Sequence, residues 1–159
     1  MQTPLECAYG LANFFQEKLA EYCERNEAAE NFNVYVGYLP LATRNEEKKT
    51  LCPAVVIRPL EVNDGENESS VIMGVYVTTY DNDKKFGCLG LYHVIEFLRF
   101  QLLINNPVND KWRIIPGTLS TSIPDEQPWP QWWARLDFAI NIMQPKRVIN
   151  EMFDTKRVD

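Results

Sequence analysis

The sequence predicts an α+β domain in which a mixed, largely antiparallel sheet of about four to six strands packs with two main helices. Three features indicate it: an amphipathic helical pattern near the N-terminus, a nearly all-apolar helical pattern in the middle, and long β-type runs between and after them. The predicted order of elements is α-β-β-β-α-β-β. A chain of 159 residues fits one domain, placed at residues 1–145, and residues 146–159 form a flexible tail or an intersubunit arm.

The first helix is predicted from its N-terminal residues. Thr3 suits the N-cap, Pro4 suits the first helical position, and Glu6 completes a capping box. After them, apolar residues recur at steps of three and four opposite a charged face, which is typical of a helix that covers a sheet. The helix should run for about six turns and end at the polar stretch 26–31.

Three strands are predicted next from alternation and β-branched content. Residues 32–38 alternate apolar and polar side chains, and residues 54–57 form a short β-branched run between two prolines. The charged residues 44–49 between them are predicted to form a solvated loop. Residues 69–80 are apolar on both faces, which predicts a central strand that is covered on both sides.

A second helix is predicted over residues 86–104, with Glu96 and Arg99 as its only charged residues. A helix with so small a polar face is either buried inside the domain or shared with another subunit. Two β segments follow at residues 111–115 and 118–123, and they are also compatible with one bent strand.

The last predicted strand covers residues 132–142, in which two kinds of side chain alternate. One column begins at Trp132 and continues through apolar residues, so it should face the core. The other column contains Arg135 and Asp137, which should face solvent or a neighbouring subunit.

A segment rich in proline and tryptophan leads into this strand. Three prolines within residues 124–130 fix φ and remove backbone donors, which predicts a shaped, non-helical loop. Trp129, Trp132 and Trp133 lie in or just after it. Large aromatic surface beside a rigid loop indicates either a surface on which another molecule packs or tryptophans that fill the domain's own core.

Charge and hydropathy argue against two classes of partner. The net charge of −6 disfavours nucleic acid, because phosphate binding needs clustered Lys and Arg. We expect no membrane partner, since no basic-faced helix occurs and the apolar runs stay short of the ~18 residues that span a bilayer. The N-terminus lacks the basic and apolar regions of a secretory leader, so we expect a cytoplasmic protein.

The sequence contains no recognisable motif for catalysis, cofactor binding or metal binding. Its four cysteines are widely spaced, and its only histidine, His93, has no closely spaced cysteine pair to complete a zinc site. The seven glycines are isolated, so no phosphate-binding loop is present. We therefore expect no enzymatic activity, no cofactor and no metal. The acidic stretch 61–68 is compatible with a solvated turn, a docking site or a cation site.

Two blocks of the chain resemble a known family. The first is Ile72-Met-Gly-Val-Tyr-Val-Thr-Thr-Tyr-Asp-Asn-Asp, which continues through Phe86-Gly87 and Leu91-Tyr-His-Val-Ile-Glu-Phe-Leu-Arg99. The second is Pro124-Asp-Glu-Gln-Pro-Trp-Pro-Gln-Trp-Trp, directly before the last strand. Both blocks resemble the tail terminator (tail completion) proteins of long-tailed phages and prophages. With the residues around the two blocks, the resemblance covers about residues 53–145. In that family a strand ends in an acidic turn before a helix, and a proline–aromatic run precedes the last strand.

The resemblance implies a structural virion protein. Its α+β subunit would form a hexameric ring on the finished tail tube, stop tube polymerisation and provide the surface for head attachment. The partners would be other copies of the chain, the tail tube protein and the head–tail connector proteins. The protein would lie in the host cytoplasm during assembly and then in the virion tail. Two alternatives remain: another neck component, such as a head–tail joining or minor capsid protein, and an intracellular small-ligand-binding domain.

A closed ring uses heterologous contacts, in which one patch meets a different patch on the next subunit. The second helix and the tryptophan region are candidates for the two halves of that contact, and the acidic stretch is a candidate for facing the tube or the connector. The candidate interface residues are Glu61, Asp64, Glu66, Glu68, Phe97, Phe100, Trp129, Trp132, Trp133 and Arg135.

Overall fold

The computed structural model describes residues 2–26, 31–41 and 43–146, and in this part of the chain it shows three helices and a six-stranded sheet. The predicted tail lies outside the described residues from residue 147 onward, including Met152 and Phe153. In chain order the elements are α1 (Pro4–Arg25), β1 (Asn33–Val36), α2 (Asn45–Leu51), β2 (Ala54–Asp64), β3 (Ser69–Tyr80), α3 (Cys88–Ile104), β4 (Arg113–Ile114), β5 (Ser120–Ser122) and β6 (Gln131–Ile142).

The sheet has the order β1-β2-β3-β6-β4, and β5 pairs with β6 beside β4. β1 runs parallel to β2, and the other pairs are antiparallel. The predicted α+β class with a mixed, largely antiparallel sheet is therefore confirmed. The three long strands β2, β3 and β6 form its centre, and the short strands lie at its two edges.

The start of α1 agrees with the prediction. Thr3 is the N-cap, its Oγ1 accepts a hydrogen bond from the backbone N–H of Glu6 at 3.1 Å, and Pro4 is the first helical residue. Because Pro has no N–H, it occupies a position where that donor would have no partner within the helix. The apolar stripe of α1, from Cys7 to Leu19, is buried against the sheet.

Two local predictions are wrong. Residues 44–49 do not form a loop but belong largely to α2, where Glu47 accepts a hydrogen bond from the N–H of Thr43 and pairs with Arg44 at 3.1 Å. The carboxylate thereby stabilises the first turn, where acidic groups are favourable. The second strand does not end at residue 57 but continues through Pro59, where the register of its pairing with β3 shifts. Proline has no backbone N–H to donate to the neighbouring strand, and a bulge is a place where that hydrogen bond is not needed.

The central strand β3 lies between β2 and β6 as predicted, but the helices of the described residues cover only one of its faces. α1 packs on β1 and β2, and α3 packs on β3 and β6, so both helices bury the same side of the sheet. On that side, residues such as Val71 and Val75 are fully buried, whereas Ile72 and Tyr76 on the other side remain partly exposed. Within residues 2–26, 31–41 and 43–146, the prediction that this strand is covered on both sides is wrong, because no helix packs on its second side. We call this other side the helix-free face; it comprises Val56, Arg58, Ile72, Tyr76, Thr78, Trp133, Arg135 and Asp137.

The last strand alternates as its sequence predicts. From Ala134 to Ile142 every second residue is buried in the core, and Arg135 and Asp137 lie on the opposite face. The two β segments before it are shorter than predicted and pair with β6 as β4 and β5. The second helix begins at Cys88 rather than at residue 86.

Candidate interaction surfaces

The four acidic candidates lie together at the end of the β2–β3 hairpin. Glu61, Asp64, Glu66 and Glu68 are all exposed, and none of them forms an ion pair among the described residues. Asp64 accepts a hydrogen bond from the hydroxyl of Ser69 at 2.6 Å, which fixes the base of the turn. The hairpin end is therefore an anionic surface whose charge is not neutralised within the described chain.

Trp129 and Trp132 are tied to a loop of their own domain. The indole N–H of Trp132 donates to the carbonyl of Asp81 at 3.0 Å, and that of Trp129 donates to the carbonyl of Asn82 at 3.2 Å. Trp132 also packs against the hydrophobic core, whereas Trp129 remains 46% exposed with the ammonium of Lys84 4.7 Å from its ring centroid. These two tryptophans join the proline-rich loop to the turn before α3.

A carboxylate shapes that turn. Oδ1 of Asp83 accepts hydrogen bonds from the N–H groups of Lys85 and Phe86 at 2.9 and 3.0 Å. The bonds to Phe86 and Lys85 lower the pKa of Asp83 below its ordinary value, because they favour the ionised form. The same turn presents the two carbonyls that accept from Trp129 and Trp132.

Trp133 lies on the helix-free face, on the opposite side of the sheet from Trp132. Its ring stacks on Tyr76 with the centroids 6.2 Å apart. Tyr76 also lies 4.1 Å from the guanidinium carbon of Arg58, and Tyr38 flanks the same guanidinium at 4.2 Å. The result is a row of Tyr38, Arg58, Tyr76 and Trp133, a composition that is enriched at protein interfaces.

Arg135 and Asp137 extend the helix-free face along β6. Nε of Arg135 lies 2.9 Å from Oδ2 of Asp137, although the N–H is not aligned for a hydrogen bond. Oδ1 of Asp137 is buried and has no hydrogen-bond partner in the described part of the chain. A buried polar atom without a hydrogen-bond partner costs free energy, and a molecule that contacts this face can donate the missing hydrogen bond.

The helix α3 has one buried side and one exposed side. Phe97 packs against Tyr22 with the ring centroids 4.9 Å apart, so it belongs to the core side. The exposed side, which we call the outer face of α3, carries His93, Glu96, Arg99 and a set of large apolar residues. That set consists of Leu89, Tyr92, Phe100, Leu103 and Ile104. Monomeric proteins rarely expose so many large apolar side chains in one stripe.

The structure thus divides the candidate residues among five places. The acids lie at the hairpin end, Phe97 packs on the core side of α3, and Phe100 lies on its outer face. Trp129 and Trp132 lie beside the turn before α3, and Trp133 and Arg135 share the helix-free face. Sequence reasoning missed Tyr38, Arg58 and Tyr76. The period-two alternation of β2 and β3 could have identified Arg58 and Tyr76, because both residues alternate with core-facing neighbours.

The grooves of the surface do not gather the tryptophans into one cavity. Trp133 lines a groove of about 330 Å³ on the helix-free face, and Trp132 lines a separate one of about 290 Å³ beside Cys88. A larger groove of about 400 Å³ contains Lys49 and Asp81 but neither of these tryptophans. Within residues 2–26, 31–41 and 43–146, no group of His, Cys, Asp and Glu side chains is arranged to hold a metal ion.

Burial also weakens the thiols as nucleophiles. Desolvation raises the pKa of Cys7 to about 12 and raises the pKa of Cys52, so both remain protonated at neutral pH.

In the described part of the chain no helix is long and apolar enough to cross a membrane. No protein-family model matches this chain, and no match was found among curated proteins.

Proposed function

We propose that this chain is a tail terminator, a structural virion protein that assembles into a ring on the completed tail tube of a long-tailed phage. The ring stops polymerisation of the tube and presents a surface to the head–tail connector. The protein acts in the host cytoplasm during assembly and remains in the virion tail afterwards. The resemblance of its two sequence blocks to that family supplies the specific role, and the distribution of exposed surface supports it.

The observation that carries the proposal is a pair of surfaces on opposite sides of the domain: the exposed, apolar-rich outer face of α3 and the partly exposed, aromatic-rich helix-free face. The outer face of α3 lies on the helical side, and the helix-free face lies on the other. Two different patches on opposite sides allow head-to-tail contacts, which close into a ring when each subunit is rotated by the appropriate angle. Surfaces of this kind mark sites of interaction with other molecules.

The acidic hairpin end provides a third surface, separate from the two apolar ones. Its carboxylates are exposed, and the chain as a whole carries a net charge of −6. In the proposed ring, this surface faces the tube or the connector and contributes orientation and selectivity more than affinity. Its contribution should weaken as the salt concentration rises, because exposed charges are screened.

The test is a measurement of solution mass by light scattering at several protein concentrations, with negative-stain images of any large species. The same measurements are repeated after the tail tube protein of the same phage is added. We expect rings, either free in solution or at the ends of tubes that have stopped growing.

Two outcomes would redirect the assignment. A chain that binds the connector but never caps tubes would be another neck component. A chain that stays monomeric with and without tubes, and binds a small molecule in one of its grooves, would be a ligand-binding domain.

A further inference from the structure

The groove on the helix-free face combines apolar walls with one cation. Tyr38, Tyr76 and Trp133 contribute aromatic surface, and Val56, which pairs with Tyr76 between β2 and β3, also lines the groove. Arg58 lines the same groove of about 330 Å³. Aromatic-lined pockets of this kind accept the large side chains that dominate binding energy at protein interfaces.

Arg58 lacks a counter-ion. Its guanidinium lies between the rings of Tyr38 and Tyr76, at 4.2 and 4.1 Å from their centroids. Its Nε is buried without a hydrogen-bond partner, and no carboxylate of the described residues lies within ion-pair distance. A guanidinium in this position offers several N–H donors and requires an acceptor from outside the domain.

The outer face of α3 offers the complementary groups. Glu96 is exposed and, although Arg99 follows it by three residues on the same face, it forms no ion pair among the described residues. Phe100, which is 55% exposed, follows it by four residues and therefore lies on the same side of the helix, with the two Cβ atoms roughly 5–6 Å apart. A carboxylate beside a large exposed aromatic matches a cation beside an aromatic groove.

We propose that the contact between neighbouring copies of this chain is made by these two surfaces: Phe100 of one copy fills the groove, and Glu96 pairs with Arg58 of the next copy. This inference rests on the proposed ring and names the faces that form it. The occupant of the groove is a second copy, because the same chain carries a matching carboxylate and aromatic pair on its opposite side. The contact buries both apolar surfaces at once and supplies the acceptor that Arg58 lacks.

The test uses sedimentation velocity of the full chain over a range of concentrations, alone and with tail tubes. Glu96→Lys and Phe100→Ser should each weaken self-association by about tenfold or more. Two matched controls should leave it unchanged: Tyr9→Ser, because Tyr9 is also 55% exposed but lies on α1, and Glu24→Lys, which makes the same charge change at an exposed position of α1. The double variant Glu96→Lys/Arg58→Glu should recover association relative to Glu96→Lys, because each contact regains opposite charges.

The thermal unfolding midpoint of each variant separates loss of association from loss of the fold. Glu96 and Phe100 lie on an exposed helix face, so Glu96→Lys and Phe100→Ser should keep the fold. These two variants therefore test the proposed pairing even if Arg58→Glu does not fold. The proposed pairing is overturned by a wild type that stays monomeric alone and with tubes. It is also overturned by unchanged association of both single variants, or by a loss of association in Glu24→Lys alone.

Failure of the pairing and failure of the proposed function give different results. Assemblies that depend on Glu96 and Phe100 but form open filaments, or never cap tubes, retain the pairing and reject the terminator function. Rings that cap tubes equally well with Glu96→Lys and Phe100→Ser retain the function and reject the pairing.

Discussion

The two faces of the central sheet are built from the same strands, yet they differ in composition and cover. The side chains that face the helices are mainly aliphatic, and those at the centre, such as Val75 and Leu136, are fully buried. The helix-free face instead carries an arginine between two tyrosines, a stacked tryptophan and an Arg135–Asp137 pair. The first composition is typical of a monomer core and the second of an interface.

Because strand residues alternate between faces, adjacent positions in β3 report on the two environments separately. Met73 is fully buried under the helices, and Ile72 lies on the helix-free face. We expect Met73→Ala to lower the free energy of unfolding by about 2–5 kcal/mol, and Ile72→Ala to lower it by about 1 kcal/mol or less. Urea unfolding of the monomer measures both values. Equal losses at the two positions would show that the faces do not differ.

A steric test concerns the contact between the turn before α3 and Trp132 on the helix-covered side. A methyl group at Gly87 would meet the carbonyl oxygen of Asp83 and lie 2.9 Å from the indole nitrogen of Trp132, so Gly87→Ala should cost about 1–3 kcal/mol of stability. The control is Gly90→Ala within α3, where the added methyl meets nothing within 4 Å and should stabilise by up to about 1 kcal/mol. Thermal unfolding measures both, and a neutral Gly87→Ala would mean that the turn moves freely.

The adjacent residues Trp132 and Trp133 lie on opposite faces of the sheet, so substitutions at the two positions compare these faces directly. Trp132→Phe removes the N–H that donates to Asp81, so it should lower the free energy of unfolding by about 0.5–1.5 kcal/mol beyond the small change in volume. Trp133→Phe should cost less, because no described residue accepts a hydrogen bond from its indole N–H. The midpoints of urea unfolding give both values, and the reverse order would contradict the assigned roles.

The smallest expected effect is electrostatic. The N–H groups of Phe86 and Lys85 lower the pKa of Asp83 below its ordinary value of 3.8. A carboxyl whose pKa is lower in the folded state stabilises the fold above the unfolded pKa, and this contribution is lost as the pH falls through the folded value. NMR titration of the Asp83 carboxyl should therefore give a midpoint below 3.8, and a midpoint at or above 3.8 would show that the turn is not formed in solution.

Local sequence signals predicted most of the fold and only part of the candidate surfaces. The cap at Thr3 and the alternation in β6 predicted α1 and the last strand, since both signals lie within a few residues. The uncovered side of β3 could not be predicted, because it depends on both helices packing on the same face. Alternation in β2 identifies the face of Arg58, but its position between two tyrosines could not be predicted, because Tyr38 and Tyr76 come from separate parts of the chain.

Cryo-electron microscopy of the wild-type protein mixed with growing tail tubes would show the proposed ring and its subunit contact together. We expect a closed ring at the tube end in which the outer face of α3 of each subunit covers the helix-free face of the next, with Phe100 in the groove beside Arg58. Tube ends without a ring, or a ring in which both faces remain open to solvent, would contradict it.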